Sequence, residues 1–415
     1  MIMLKQFTGA LSQKEKSLKE LYSLIVEHGP VSKSDLIKYT GMRQTTCSRL
    51  IDELLGIGLI VESGYGESSG GRKPVMYEIK DDANYVIGID ISRTYTKVLL
   101  MNLAFVVLEE ARLTMNETTT PAFTVDFISS SVHNMLNKFG LTQDDILGAG
   151  LGTIGPLDRE NGIILNPINF PSKGWENFPI NSLLSEKLRL NTLLDYGANT
   201  ALLAEYQQEP FKKHKNVVHV LKGIGTRTSM IMDGRLIRGT DKLGMLGQGH
   251  MVVDLYGRKC ICGNNGCVHA YSSISAIKED IISGLEQGAP SIIRDWKSDP
   301  KEMDFDDICR AANERDSLVT RVVKNAAYYA GVGLANLANV LFPDVIILSG
   351  PTYTNMDLFY DVVSETAAAR CRNMYPNQEI IFTRGLLGEN ASAIGAGRMV
   401  LDHYLTDHTT RVDYV

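Results

Sequence analysis

The chain has 415 residues, 44% of them hydrophobic and 22% charged, a composition that suits a globular protein with room for two or three domains. It opens on no signal peptide and holds no apolar run of the roughly 18 residues that a spanning helix requires, so a cytoplasmic protein is expected and a membrane partner is not. The net charge of −6 is unevenly spread: residues 1–80 carry 11 Lys and Arg against 9 Asp and Glu, which leaves 31 against 39 in the remainder and argues only against broad DNA contact by the body.

In KEKSLKELYSLIVEHG, Leu18, Leu21, Tyr22 and Ile25 recur at helical spacing, and Gly29-Pro30 closes the segment. Ser32 with Asp35 three residues on predicts a capped second helix, and Gly41 makes the following turn. The third segment, RQTTCSRLIDELLGIG, puts Cys47, Leu50, Ile51 and Leu54 on a buried face. Its other face is short, polar and hydrogen-bonding, which suits the major groove, and Gln44, Thr45, Thr46, Ser48 and Arg49 are the candidate contacts. LIVESGYGESSGGRKPVMYEI then reads as two strands joined by a Gly/Ser-rich tip carrying Arg72 and Lys73, placed to reach the DNA backbone or minor groove. Residues 1–80 are therefore expected to be a winged helix-turn-helix whose partner is a double-stranded operator; a three-helix interaction module with a merely solvated polar face is the alternative.

From residue 85 the pattern turns to apolar strands, YVIGIDI, TKVLLMNL and FVVLEEARLT, followed by ILGAGLG, TLLDYG, NVVHVLKG, SMIMDG, DVIILSG and EIIFTRG, with helical segments between several of them. That alternation implies an α/β body. Within it, HMVVDLYGRKCICGNNGC sets His250, Cys260, Cys262 and Cys267 at the spacing His-x9-Cys-x-Cys-x4-Cys. One imidazole and three thiolates suit tetrahedral Zn²⁺ in a closed structural site, and Gly263 and Gly266 allow the chain to fold back on itself. A disulfide would need an oxidising compartment, and free cysteines beside a chance histidine are the other alternative. Cys47, Cys309 and Cys371 stand apart and read as core residues.

DISRTYTK at 90–97, GTIGPLD at 152–158, the GW of SKGWENFPI, DYGANTALLAE at 195–205, GIGTRTSMIMDG at 223–234 and the cysteine stretch together resemble the ROK family (repressors, open reading frames, kinases), in its transcriptional-regulator form. The resemblance runs through nearly the whole chain and implies a two-lobed, actin-like (ribonuclease H-like) sugar-kinase fold behind the winged head. Lobe 1 would span 81–200, completed by 393–415, and lobe 2, with the zinc loop, 201–392. It also implies zinc on His250, Cys260, Cys262 and Cys267, beside a sugar pocket.

The family's kinase residues are altered here. Asn-Asp-Ala-Asn of the kinases corresponds to Tyr196-Gly197-Ala198-Asn199, so the place of the catalytic aspartate holds Gly197, which cannot take a proton. Asp-x-Gly-Gly-Thr corresponds to Asp90-Ile91-Ser92-Arg93-Thr94, and Arg227 and Ser229 stand where kinases place glycines for close phosphate approach. A non-enzyme is expected. Of the sugar-holding carboxylates, one position falls on Gly247, or on Gln248 if the register slips by one, and another on His269, while Asn199 and His250 are retained and Asn169 is a further candidate. Either the effector differs from an ordinary hexose, with an anionic group that His269 or Arg227 could meet, or the cleft is vestigial. The expected protein is a regulator, a repressor of carbohydrate-related genes, acting as a homodimer or homotetramer and released by a sugar or sugar derivative. Its rivals are a repressor gated by a protein partner and a bifunctional sugar kinase.

Overall fold

The computed structural model describes residues 4–8, 11–67, 73–167, 169–239, 247–374, 377 and 379–406. Arg72 of the wing tip and the tail from 407 lie outside them. Chain contacts divide the protein into two units, residues 1–200 with 393–415 and residues 201–392.

In the first unit, α1 (Gln13–His28), α2 (Lys33–Thr40) and α3 (Gln44–Gly56) pack around Leu18, Leu21, Ile25, Leu36, Leu50 and Leu54, all buried. Ser12 with Glu15, and Ser32 with Asp35, form reciprocal capping boxes that satisfy backbone N–H groups at the starts of α1 and α2. Gly41 ends α2 in the left-handed conformation that glycine adopts without steric cost. The wing is a three-stranded antiparallel sheet of order β1-β3-β2, built from β1 (Val31–Ser32), β2 (Ile60–Tyr65) and β3 (Val75–Ile79). The two-residue β1 is too short to show an alternating pattern in the sequence.

The same unit carries a five-stranded sheet from β4 (Tyr85–Ile91), β5 (Tyr95–Asn102), β6 (Val107–Thr114), β7 (Ile146–Thr153) and, beyond the small hairpin of β8 (Leu157–Asp158) and β9 (Ile163–Ile164), β10 (Thr192–Tyr196). Its order is β10-β7-β4-β5-β6, antiparallel among β4, β5 and β6 and parallel across β4-β7-β10. Helices α4 (Pro121–Phe139) and α5 (Ile180–Leu188) belong to this unit, and α6 (Gly197–Tyr206) begins in it.

In the second unit, after the short α7 (Glu209–Lys212), β11 (Val217–Lys222), β12 (Thr226–Met232), β13 (Arg235–Ile237), β14 (Val345–Ser349) and β15 (Ile381–Arg384) form a sheet of order β13-β12-β11-β14-β15. It repeats the first sheet's plan, three antiparallel strands followed by two parallel ones. This repeated plan is the duplicated α/β architecture expected of an actin-like fold. Helices α8 (His269–Ser272), α9 (Ile274–Glu286), α10 (Ile293–Trp296), α11 (Phe305–Asn313), α12 (Ser317–Leu341), α13 (Pro351–Asn355) and α14 (Asp357–Met374) complete the unit. Its core is the apolar stripe of α12, with Val319, Val323, Ala327, Leu334 and Ala338 buried against α14 and the sheet. Gly331 admits the close approach, because a Cβ there would stand 2.6 Å from Thr366 Cβ.

The last helix, α15 (Ala391–Leu405), lies on the first sheet, where Cβ atoms at Gly88 and Gly150 would stand 2.0 and 1.8 Å from the carbonyl oxygens of Ala393 and Ala396. The head is not an independent globule. Leu4, Phe7, Leu18 and Leu21 share one buried apolar cluster with Val86, Leu99, Met101 and Leu147 of the sheet and Val400, Leu401 and Tyr404 of α15. Lys5 Nζ donates to the carbonyls of Gln143 and Asp144, and Lys19 Nζ donates to Thr406 O at 3.1 Å. None of the helices among the described residues is long and apolar enough to cross a membrane.

Candidate functional site

In the head, α3 presents Gln44, Thr45 and Arg49 to solvent, while Thr46 and Ser48 are half-buried along its flank. Ser48 Oγ accepts from Lys33 Nζ at 3.3 Å, which fixes α3 against the start of α2. Lys73 is exposed at the base of the wing; Arg72 lies outside the described residues. Helical periodicity passed over Arg43 because it precedes the helix: it is the N-cap of α3, exposed, and its side chain makes no capping bond. A cation beside the unsatisfied N–H groups of that turn suits a phosphate. Cys47 is buried, and burial raises its thiol above the ordinary value, as fits a core residue.

In the second unit the cysteine loop folds into a tight knuckle. Cys260 N donates to Asn264 O at 2.8 Å, Gly263 N to Cys260 O at 3.0 Å and Gly266 N to Arg258 O at 2.8 Å. Gly263 and Gly266 have φ of 92° and 70°, and a Cβ on Gly266 would overlap Asp254 O. Tyr271 buttresses the knuckle: its hydroxyl donates to Asp254 Oδ2, accepts from Arg258 N, and its ring stacks on Tyr329 at 3.9 Å.

The ligating atoms of His250, Cys260, Cys262 and Cys267 all lie within 4.8 Å of one another. His250 Nδ1 stands 3.6 Å from Cys260 Sγ, and Cys262 Sγ 3.7 Å from Cys267 Sγ. Metal–sulfur bonds of about 2.3 Å at the tetrahedral angle put two sulfurs about 3.8 Å apart, so the donors are already spaced for a four-coordinate metal. The backbone N–H of Asn264 heads the influences that hold the Cys262 thiol below its ordinary value, whereas burial pushes that of Cys267 up. The cluster is thus able to hold a metal with protein donors at every corner.

The other candidate residues divide between the units. In the first, Asn199 is 4% exposed and its amide donates to Asp195 Oδ1 at 2.8 Å. Asp195 Oδ1 also accepts from Tyr196 N, and Oδ2 faces Arg159 Nη1 at 3.6 Å. Spacing could not foresee Arg159, which reaches this cluster from 36 residues upstream. Gly197 opens α6 directly after this strand, with no carboxylate to offer. Asn169 is exposed, with φ of 58°, in a loop anchored by Trp175, whose indole donates to Ser172 Oγ and packs on Phe170 and Phe178.

In the second unit, His269 is half-buried with its ring centroid 5.7 Å from that of His250, and Gly247 is half-buried at the entry to the metal loop. Gln248 is 4% exposed and its amide lies beside Gly333 of α12. The structure therefore brings His250 and His269 together and leaves Gly247 and Gln248 on the same short turn. Ser229 is buried beside His219, which also bonds to Ser349 at 2.5 Å. Lys222, which the sequence did not mark, ends β11 fully buried: its Nζ lies 3.3 Å from Thr226 Oγ1 and Ser272 Oγ and over the Phe359 ring. Desolvation lowers its pKa to about 7.

Comparison with known proteins agrees with this architecture. A xylose repressor of Bacillus subtilis strain 168 is 27% identical over 394 residues, covering 94% of this chain and 96% of the relative. A glucokinase of Halalkalibacterium halodurans is 26% identical over 327 residues, covering 76% of this chain and 94% of the enzyme. A solved ROK family transcriptional regulator, a homologue of the Escherichia coli MLC protein, superposes with a TM-score of 0.77 at 22% identity over 94% of this chain and 96% of its own. The model of the ROK family matches residues 86–403, and the chain belongs to that family.

Proposed function

We propose that the protein is a sugar-responsive transcriptional repressor that reads a double-stranded operator and has no phosphoryl-transfer activity. The observation that carries this reading is the extent of the match: the alignment with the xylose repressor takes in the head as well as the body, whereas the glucokinase match covers 76% of the chain. The head offers what such a role requires. Gln44, Thr45 and Arg49 face solvent for base edges, with Thr46 and Ser48 on the flank, and Arg43 and Lys73, with Arg72, are cations for the backbone.

The body is read as the sensor. His250, Cys260, Cys262 and Cys267 would hold a zinc ion; with protein donors in all four places it would shape the loop and leave no position for a reacting water. That loop carries His269 and Gly247, the candidate effector contacts of the second unit; Asn199 and Asn169 are candidates of the first unit. The xylose repressors among the relatives make D-xylose the first sugar to try. Two chains, as a dimer or a pair of dimers, would place two heads on a two-fold operator.

The test combines two assays on the same preparation. DNase footprinting on DNA upstream of the protein's own gene is expected to show a two-fold symmetric protected site. Coupled ADP release with ATP and D-xylose, D-glucose or N-acetylglucosamine is expected to show no turnover, in keeping with Gly197. Sugar-dependent ADP release without a footprint would establish the kinase reading instead.

A further inference from the structure

The chain passes between its two units twice, within α6 between Thr200 and Ala201 and in the first turn of α15 between Ser392 and Ala393. Glu205, on the last turn of α6, is 0% exposed. Its Oε2 accepts the backbone N–H of Leu386 at 2.8 Å and its Oε1 that of Leu387 at 3.0 Å, across 181 and 182 residues of sequence. Among the described residues no cation forms an ion pair with this carboxylate; burial raises its pKa and the two amide bonds oppose that rise. Gly385 leaves room for it, since a Cβ there would stand 2.7 Å from Glu205 Oε1. A buried carboxylate costs free energy unless it is well bonded, so a site that keeps one on two adjacent amides is built to fix that turn.

What the turn leads into gives the contact its meaning. Residues 386 and 387 lie a few positions before α15, and α15 runs along the first sheet to the head. There Leu401 and Tyr404 join the buried cluster of α1, and Thr406 O accepts from Lys19 Nζ of that helix. The helix that begins this route, α6, also carries Asn199, six residues before Glu205.

We propose that Glu205 is a positioning residue for signal transmission: by clamping the turn before α15 to α6, it makes the two chain crossings move as one and carries a change felt at Asn199 to the DNA-binding head. The proposal rests on the repressor reading for what is transmitted, and the clamp itself can be tested without any sugar. Glu205→Gln keeps the shape but points an NH₂ group at one of the two N–H donors, and Gly385→Ala crowds the carboxylate from the other side.

In the sugar-free arm, amide exchange measured by mass spectrometry should quicken by about tenfold or more in peptides covering 386–396 in both variants, while peptides in β4 and β14 keep their protection. Unchanged exchange at 386–396 would overturn the clamp. In the second arm, operator affinity is measured with and without D-xylose, alongside xylose affinity by calorimetry. The parent should lose operator affinity by about tenfold on xylose binding, and the variants by less than about threefold, with xylose affinity held within about threefold. A variant with loosened exchange that still responds as the parent does overturns the transmission role. A parent that binds no sugar sinks the effector reading, while the exchange arm still decides the clamp. Should Glu205→Gln fail to fold by circular dichroism, Gly385→Ala and Glu205→Asp carry both arms, the aspartate being expected to restore part of the coupling.

Discussion

Lys222 offers a prediction whose size follows from its surroundings. Its amine is fully buried, its neighbours are two hydroxyls at 3.3 Å and an aromatic ring, and none of the described carboxylates bonds to it. In the folded protein it releases its proton near pH 7, whereas in an unfolded chain a lysine does so at about 10.4. Between those values the unfolded state holds one more proton than the folded state, so raising the pH favours folding, by about 1.4 kcal/mol per unit. Below pH 7 both states are protonated and the contribution of this residue levels off. From pH 7 to pH 9 it therefore adds about 2 to 3 kcal/mol of stability, which Lys222→Met, apolar and of similar length, removes. Urea unfolding followed by circular dichroism at both pH values, for the parent and for Lys222→Met, isolates this difference from every other titrating group. The variant should also be the more stable protein at pH 7. Equal pH responses would refute the reasoning: the amine would then be charged when folded, and an anion at the GIGTRTS loop would have to be sought, reopening the question of nucleotide binding.

Cys260→Ser should lower bound zinc from about one ion per chain to near none by plasma mass spectrometry and depress the melting temperature, since a structural ion's binding energy is folding energy; full zinc content in the variant would remove Cys260 from the donor set. Arg49→Ala should weaken operator binding by about 1–3 kcal/mol while leaving affinity for unrelated DNA within about threefold, and an equal loss on both would reassign Arg49 to the backbone. Gly150→Ala drives a Cβ into Ala396 O at 1.8 Å and should cost about 1–3 kcal/mol of stability as α15 is pushed off the sheet; a neutral result in thermal unfolding would contradict that packing.

Much of the architecture was legible because the signals were local. The capping boxes at Ser12 and Ser32 sit three residues from their partners, and β4 and β14 are apolar runs that must be covered on each face. The His/Cys cluster was legible because its four potential donors fall within 18 residues and its glycines sit where positive φ is needed. The residues that escaped depend on distant partners. Glu205 meets the chain 181 residues on, Arg159 meets Asp195, and Lys222 reads as an ordinary strand-end lysine until the helices around it are in place. Asn199 is a candidate through the family resemblance, but nothing in its own segment shows that its amide is donated to Asp195. The shared core of head and sheet was equally hidden, because its members are scattered from Leu4 to Tyr404.

The most direct test of the central claim is fluorescence anisotropy of the purified protein on DNA from upstream of its own gene, titrated with D-xylose and then with other pentoses, hexoses, amino sugars and acidic sugars. The account predicts tight, sequence-specific binding that one sugar class releases. Absence of specific binding, or specific binding that every sugar leaves intact, would contradict it.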